Sequence, residues 1–321
     1  MNDADDPAAK PTVPALKPVK RPLEGLVVGI SVALGEDSAA RGFGDAEMNR
    51  VVVRLSDALL SAGARLVFGH DWRPTGVMAA VARLAVTYDQ SAAALQDSSA
   101  RKSCRITNLV PWDRRPELPA DLREDLEKRG MLRVEEVPLP PAFAQLEPEI
   151  GRRSLRAAAL CVLRRRLAEL CDARICVGGK YQKYEGFFPG ILEEAFTSAS
   201  RDRGNKVLLS ALLGGAAAKI LRAARTNDWN DFLQPNADEE LRKGYARLSS
   251  VDPTAFPDLH RAPDALNWNR LQERSGLTSG DWECLASATD IEVVSAMAIK
   301  ALSKPTPPPA AGDAVPQGNR E

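Results

Sequence analysis

The chain has 321 residues, and its 43 lysines and arginines are balanced by 43 aspartates and glutamates. Dedicated nucleic-acid-binding proteins carry an excess of basic residues that contact phosphates, so the absence of net charge argues against that class. No apolar run approaches the length of a membrane span and the N-terminus lacks the apolar core of a signal peptide, so we expect a cytoplasmic protein without membrane contacts.

The two ends of the chain have a composition that cannot support a core. Residues 1–22 contain five prolines among lysines and almost no large apolar residue, and residues 305–321 are similar. We therefore expect a disordered leader over 1–22, a single domain over 23–304 and a disordered tail over 305–321.

Strand and helix patterns alternate in the first third of the domain. Residues 26–33 (LVVGISVA) predict a buried strand, and apolar residues at spacings of three and four predict an amphipathic helix over 48–62. Residues 64–68 predict the next strand, a helix follows from about Val77, and residues 105–110 predict a third strand.

The following segment, 111–150, is polar and proline-rich, and we treat it as an insertion with a short helix near 120–129 and an extended run at 132–137. A long helix is predicted over 155–170, and residues 173–177 (ARICV) predict another buried strand.

The last part of the domain begins with a predicted strand over 206–212, and the glycine pair at 214–215 opens a further helix. Residues 226–270 are less regular and are interpreted as a second insertion.

These elements together predict the fold class. Apolar strands joined by crossover helices indicate an α/β protein with a Rossmann-like, doubly wound, mainly parallel sheet and helices on both faces. Such sheets bind ligands beyond the carboxyl ends of their strands. Glycine-bearing loops follow four of the predicted strands, after Ala33, Phe68, Val177 and Leu213, and we expect these loops to converge on one crevice.

The strongest functional signal is residues 177–195 (VGGKYQKYEGFFPGILEEA). Gly178 and Gly179 allow a sharp turn and a close approach to the backbone, and a helix that begins at Pro189-Gly190 offers N–H groups to an anion. Lys180 is suited to neutralise a phosphate and Glu194 to accept hydrogen bonds from a ribose diol. Aromatic residues near the mouth are suited to stack on a base, namely Tyr181, Tyr184, Phe187 and Phe188. The alternative is a surface loop whose tyrosines pack on its own helix.

A second signal is the loop at 68–78 (FGHDWRPTGVM), in which Gly69 ends a strand and Gly76 begins a helix. Arg73 is suited to clamp a phosphate through its planar guanidinium. The alternative is an ordinary strand–helix turn in which this arginine meets a neighbouring aspartate, and His70 is expected to be a hydrogen-bonding loop residue.

Other features carry less functional information. Ser31 and the polar loop after the first strand are suited to close over a ligand, although they match no known phosphate-binding motif. The run Arg164-Arg165-Arg166 predicts a solvated helix face. The five cysteines are dispersed, and only two histidines are present, so we expect reduced core thiols and no metal site. No nucleophile constellation is recognisable.

The two glycine loops resemble those of the SLOG superfamily, named after the DNA-processing SMF/DprA proteins and the LOG cytokinin-activating enzymes. In LOG enzymes a strand–helix loop with a glycine pair precedes a second loop of the type PGGxGTxxE. Here residues 68–78 resemble the first loop, and Gly178-Gly179-Lys180 followed by residues 189–194 (PGILEE) resemble the second. The resemblance covers about residues 25–303.

One branch of the superfamily resembles the chain more than the LOG enzymes do. The compact GGxGT turn is replaced by a long loop and its threonine is absent, and residues 275–302 also resemble the signal-sensing SLOG domains of bacterial antiphage systems such as Thoeris. That resemblance implies binding of a nucleotide derived from NAD, such as ADP-ribose or a cyclic isomer of it.

The leading hypothesis is therefore a non-catalytic sensor or adaptor in a bacterial defence or signalling system, without a cofactor, that recruits a separate effector or assembles with itself. The alternative is a LOG-like hydrolase of a nucleotide N-glycosidic bond, in which Glu194 stabilises the oxocarbenium-like state and Arg73 holds phosphate. A third option is a scaffold without a ligand. The wide apolar arc of the helix over 155–170 suggests a homo-oligomer, and the alternative is that its second apolar side packs under the 111–150 insertion. The predicted ligand-binding residues are Ser31, Gly69, Arg73, Gly76, Gly178, Gly179, Lys180, Tyr184, Gly190, Glu194, Gly214 and Gly215.

Overall fold

Strands and helices alternate along the chain as the apolar patterns predict. The structure, a computed structural model, describes residues 21–73, 75–94, 105–114, 120–201, 205–230, 236 and 238–305. The predicted leader and tail lie almost wholly outside these residues, and so does Cys104. No helix within the described residues combines the length and the apolar character that crossing a membrane requires.

The described residues form one sheet of six parallel strands. Its strands are β1 (Val27–Ala33), β2 (Arg65–Gly69), β3 (Ile106–Pro111), β4 (Leu132–Val137), β5 (Ala173–Gly178) and β6 (Lys206–Ser210). They lie in the order β4-β3-β2-β1-β5-β6, and every neighbouring pair is parallel. Gly29 of β1, for example, is in register with Val67 of β2 and with Arg174 of β5. This arrangement confirms the predicted Rossmann-like α/β fold.

Helices connect the strands and cover the sheet. They are α1 (Asp45–Ser61), α2 (Val77–Ala94), α3 (Ala120–Lys128), α4 (Pro141–Ala144), α5 (Glu147–Leu170), α6 (Gly190–Ala199), α7 (Gly215–Thr226), α8 (Glu239–Val251), α9 (Ala262–Ala265), α10 (Trp268–Ser275), α11 (Ser279–Ala286) and α12 (Ile291–Leu302). Helix α5 starts earlier than predicted because a short turn of helix precedes Gly151, whose left-handed φ of 78° breaks the regular backbone. The predicted strand over 206–212 ends at Ser210.

Helix α5 is enclosed on more than one side. It packs on the sheet through β1, β2, β3 and β4, and its remaining apolar surface contacts α6 and α8. The wide apolar arc that suggested a partner subunit is therefore explained within one chain. Val251 is the one large apolar side chain that is exposed in the described part of the chain. Self-association stays a prediction without support from this helix.

The predicted second insertion supplies part of the core. Tyr245 of α8 and Phe256 pack edge-to-face on Phe187 at centroid distances of 5.3 and 5.7 Å, and Tyr245 also meets Phe188 at 5.4 Å. Phe187 and Phe188 are fully buried in this cluster. The prediction that these two rings lie at the mouth of a site is wrong, because residues distant in sequence cover them.

Candidate functional site

A cavity with a volume of about 340 Å³ lies at the carboxyl ends of β1, β2 and β5. The chain runs outward from β1 to β4 and then returns to place β5 on the other side of β1. The strand order therefore reverses between β1 and β5, and open α/β sheets bind ligands at such a reversal. The crevice lies where the fold class predicts a ligand.

The structure brings most of the predicted site residues to this cavity. Seven of them line it: Ser31, Gly69, Arg73, Gly179, Lys180, Gly190 and Glu194. Five others do not: Gly76, Gly178, Tyr184, Gly214 and Gly215.

The glycine pair after β5 is required by the packing of the loop. Gly178 and Gly179 have positive φ angles of 74° and 92°. A Cβ on Gly178 would lie 2.1 Å from the carbonyl oxygen of Ala33, and one on Gly179 would lie 2.2 Å from Cγ1 of Ile191. The pair lets the end of β5 pack directly against the end of β1 and the start of α6.

The glycine pair before α7 packs against the loop that follows β1. The N–H of Gly215 donates to Oδ1 of Asp37 at 2.8 Å, so a carboxylate of the β1–α1 loop occupies the N-terminus of α7. A Cβ on Gly35 would lie 2.5 Å from Cα of Gly215, which shows how closely the two loops pack.

The loop after β2 is a strand–helix turn in which Arg73 pairs with a neighbouring aspartate, the alternative to a phosphate clamp. The guanidinium of Arg73 donates to both oxygens of Asp71, at 2.6 and 3.0 Å, and Asp71 also accepts from the N–H of Val77 at the start of α2. The hydrogen bond to Asp71 is the main reason why the pKa of Arg73 is raised, and nearby carboxylates including Glu185 add to it. Gly76 packs on Asp71, since a Cβ there would lie 2.5 Å from its carbonyl oxygen. Arg73 still lies on the cavity wall.

Glu194 is held in place by groups beneath the cavity. The hydroxyl of Ser31 donates to Oε2 of Glu194, and Nη1 of Arg174 lies 2.9 Å from the Ser31 hydroxyl and 3.5 Å from the same carboxylate oxygen. Arg174 is fully buried, and its Nε donates to the hydroxyl of Ser198 at 2.8 Å. Sequence reasoning missed Arg174, although an arginine inside an apolar strand is an unusual residue that needs partners.

The prediction of a solvated helix face is wrong for Arg164. The arginine run was expected to form a solvated helix face, but Arg164 is buried and donates to Oε2 of Glu193 at 2.5 Å, with Glu194 3.8 Å away. Burial disfavours the charged guanidinium, but the carboxylates of Glu193 and Glu194 outweigh that effect, so the pKa of Arg164 is raised. A Cβ on Gly190 would lie 2.7 Å from Nη2 of Arg164, which explains the glycine at the start of α6.

The chain that forms this site matches one known protein family. The family model described as SLOG cluster2 matches residues 22–276, which is most of the chain and includes every predicted site residue. The chain belongs to the SLOG cluster2 family. No curated protein and no solved structure matched it. Membership confirms the resemblance to the SLOG superfamily and indicates a nucleotide-related function.

The SLOG cavity combines donors for an anion with a fixed acceptor. Gly190 and Ile191 at the start of α6 line it, and the first N–H groups of a helix have no partner within the helix. Lys180 lines the cavity and is exposed, and it makes no hydrogen bond or ion pair within the described residues. Glu194 lies among these donors with its side chain 17% exposed. The site can therefore bind a group that carries both a phosphate and hydroxyls.

The loop between β5 and α6 is anchored near its start and in its middle. Glu36 accepts from the N–H groups of Tyr181 and Gln182 at 3.2 and 2.8 Å, and Asn236 donates from Nδ2 to the carbonyl oxygen of Tyr184 at 3.1 Å. The ring of Tyr181 packs under the ammonium of Lys219 of α7, 4.0 Å from its centroid. The backbone of this SLOG loop is thus fixed, and neither tyrosine lines the cavity.

The cysteines that the structure describes near the site are buried thiols. Cys161, Cys171 and Cys176 are buried, and burial raises the pKa of each, that of Cys176 to about 12. Thiols in this state are poor nucleophiles. Among the described residues no group of histidine, cysteine and carboxylate side chains is arranged to hold a metal ion.

Proposed function

We propose that this protein binds a nucleotide in the cavity at the ends of β1, β2 and β5. The observation that carries the proposal is the meeting of three features in one cavity, namely the N-terminus of α6, the exposed Lys180 and the fixed carboxylate of Glu194. The first two are suited to a phosphate and the third to a ribose diol. A volume of about 340 Å³ is near the lower limit of small-molecule pockets, about 300–1,000 Å³, so one nucleoside phosphate fills the cavity and a larger ligand extends past the mouth.

We propose further that the ligand is an NAD-derived nucleotide of the ADP-ribose type and that the protein acts as a sensor or adaptor. Both oxygens of Glu194 already face partners, Oε2 towards Ser31 and Arg174 and Oε1 towards Arg164. Such a carboxylate, held by two arginines and a serine, is a positioned acceptor. This arrangement supports binding over turnover.

The experiment is a thermal-unfolding panel of AMP, ADP, ADP-ribose, cyclic ADP-ribose and NAD with the full chain. A ligand at one hundred times its Kd stabilises the folded state by about 2.7 kcal/mol, which is a readily measured shift. We expect at least one adenine nucleotide to raise the Tm and inorganic sulfate at the same ionic strength to have no comparable effect. A panel without any shift at millimolar concentration would contradict nucleotide binding.

The second candidate is the LOG-like hydrolase. It is favoured by the position of Glu194 between two arginines, where a carboxylate that is held rigidly can stabilise positive charge on a ribose ring. We expect no release of free base from AMP, NAD or ADP-ribose. Multiple turnover that is lost in Glu194→Gln would replace the sensor proposal with the hydrolase.

A sensor must also transmit the signal, and we propose that it does so through a separate effector or through self-association. Light scattering of the full chain with and without ADP-ribose measures the second route. A strict monomer of about 35 kDa in both states would leave a separate partner as the route.

A further inference from the structure

A second concave surface lies between α1 and α2, away from the cavity at the strand ends. These two helices connect three successive parallel strands, so they lie side by side on the same face of the sheet and run in the same direction. The surface, called the α1–α2 groove below, shares no lining residue with the cavity. It is lined by Ala46, Asn49, Arg50 and Val53 of α1 and by Ala80, Arg83, Leu84 and Thr87 of α2.

The shape of the groove suits a helix. Ala46 and Ala80 have only a methyl group and leave space between the helices, and the half-buried Val53 and Leu84 supply apolar surface. On each helix the lining residues follow spacings of three, four and seven, so the groove is roughly 10 Å long at a rise of 1.5 Å per residue. A bound amphipathic helix presents its apolar anchors at the same spacings, over the same two turns.

The charge of the groove indicates the chemistry of its occupant. Arg50 and Arg83 lie on opposite sides of it, one on each helix, and both are exposed. Neither guanidinium makes an ion pair within the described residues, and no described lining residue is acidic. Arg50 is near Glu47, but that carboxylate accepts from the N–H of Gly44 at the start of α1, at 3.0 Å. The apolar floor between two positive sides is thus complementary to an apolar stripe flanked by carboxylates.

The same charges argue against a second copy of this chain in the groove. In a two-fold symmetric contact both subunits use the same surface, so Arg50 and Arg83 would meet the same two arginines of the other copy. Like charges placed together across an interface oppose association. The charge pattern therefore favours a different protein as the occupant.

We propose that the α1–α2 groove docks an acidic amphipathic helix of a partner protein, whose carboxylates pair with Arg50 and Arg83. The groove and the cavity share α2, since Val77 in its first turn lines the cavity and Ala80, three residues later, lines the groove. A partner in the groove contacts the helix that begins at the cavity. The docking itself does not depend on nucleotide binding.

The test uses synthetic helix-forming peptides and the full chain, with binding measured by fluorescence anisotropy at low ionic strength. The first peptide has leucines at i, i+4 and i+7 with glutamates beside them, and the second has glutamine in place of each glutamate. We expect the acidic peptide to bind about tenfold more tightly than the glutamine peptide. Arg50→Glu and Arg83→Glu should each weaken the acidic peptide about threefold or more, and the double variant about tenfold or more.

A third peptide, with lysine in place of each glutamate, separates charge from folding. It should bind the double variant more tightly than it binds wild type, because a variant that had only lost its fold would gain no ligand. The matched control is Arg54→Glu, which changes the net charge equally but lies outside the groove, where Arg54 is 3.8 Å from Glu292. This control should change the Kd of the acidic peptide less than about twofold.

Several outcomes would overturn the inference. They are equal affinity for the acidic and glutamine peptides, no binding of the acidic peptide at millimolar concentration, an equal loss in Arg54→Glu, and no gain of the lysine peptide in the double variant. A dimer seen by light scattering that Arg83→Glu abolishes would assign the groove to a second copy and would also overturn it. Because every measurement is made without nucleotide, none of these outcomes affects the nucleotide binding proposed above.

Discussion

Arg174 donates from Nη1 to the hydroxyl of Ser31 at 2.9 Å, and Ser31 in turn donates to the carboxylate of Glu194 on the floor of the cavity. A fully buried arginine on β5 thus fixes a cavity residue of α6 through a serine of β1. The charge of Arg174 is accepted in the interior because the Glu194 carboxylate and the Ser198 hydroxyl face it.

Arg174→Met should therefore weaken both the fold and the site. Removing one partner from a buried charged network leaves the others without compensation, and we expect a loss of about 3 kcal/mol in the free energy of unfolding, measured in urea. Nucleotide affinity should fall as well, since Glu194 is no longer positioned. The control Ser198→Ala removes a single acceptor and should cost about 1 kcal/mol. Equal urea midpoints for Arg174→Met and Ser198→Ala would show that the Glu194 carboxylate and the Ser198 hydroxyl do not stabilise the charge of Arg174.

The turn after β5 gives a second prediction. Gly179→Ala places a Cβ 2.2 Å from the side chain of Ile191 at a φ of 92°, so we expect a loss of about 2 kcal/mol or more in the free energy of unfolding. Gly280 of α11 is the matched control, because a Cβ there meets nothing within 4 Å. Gly280→Ala should increase stability by about 0.5–1 kcal/mol, since alanine favours the helix. Gly179→Ala with wild-type stability would mean that this turn tolerates a side chain.

How far the sequence predicts this protein depends on the range of the interactions. The strands and helices were predictable because the apolar spacing that defines them is local, as at residues 173–177. The position of the cavity followed from the glycine loops and the fold class. Arg164 was placed wrongly because a run of arginines resembles a solvated face, and its burial depends on Glu193, a residue 29 positions away. Phe187 was placed wrongly for the same reason, since Tyr245 covers it.

Lys206 makes the free energy of unfolding depend on pH. Its Nζ donates to the carbonyl oxygens of Ala301 and Lys304 at the end of α12, at 2.6 and 2.7 Å. Burial, and to a lesser extent the charge of Lys304, lower the pKa of Lys206 from its ordinary value of 10.5 to about 8. Between these two pH values the unfolded chain binds more protons than the folded one, so this contribution to the free energy of unfolding rises with pH. It is complete above pH 10.5 and lost as the pH falls through 8.

The measurement compares wild type with Lys206→Met by urea unfolding at pH 7.5, 9 and 10. The free energy of unfolding of wild type should increase relative to that of Lys206→Met as the pH rises. Lys206→Arg keeps its charge throughout this pH range. The difference in the free energy of unfolding between Lys206→Arg and Lys206→Met should therefore stay constant. Parallel curves for wild type and Lys206→Arg would show that Lys206 does not titrate near pH 8.

The last prediction concerns Lys180, which makes no hydrogen bond or ion pair with any residue that the structure describes. Lys180 lines the cavity, whereas Lys183 lies three residues further along the same exposed loop and does not. If Lys180 contacts a phosphate, Lys180→Ala removes a charge-assisted hydrogen bond worth about 1.5–3 kcal/mol, and the Kd for an adenine nucleotide should rise at least about tenfold. Lys183→Ala changes the net charge of the loop equally and should change the Kd less than about twofold. Because both side chains are exposed, the Tm without ligand should stay near the wild-type value in each variant. Equal losses of affinity would indicate a general electrostatic attraction by the loop, and wild-type affinity in Lys180→Ala would remove this residue from the site.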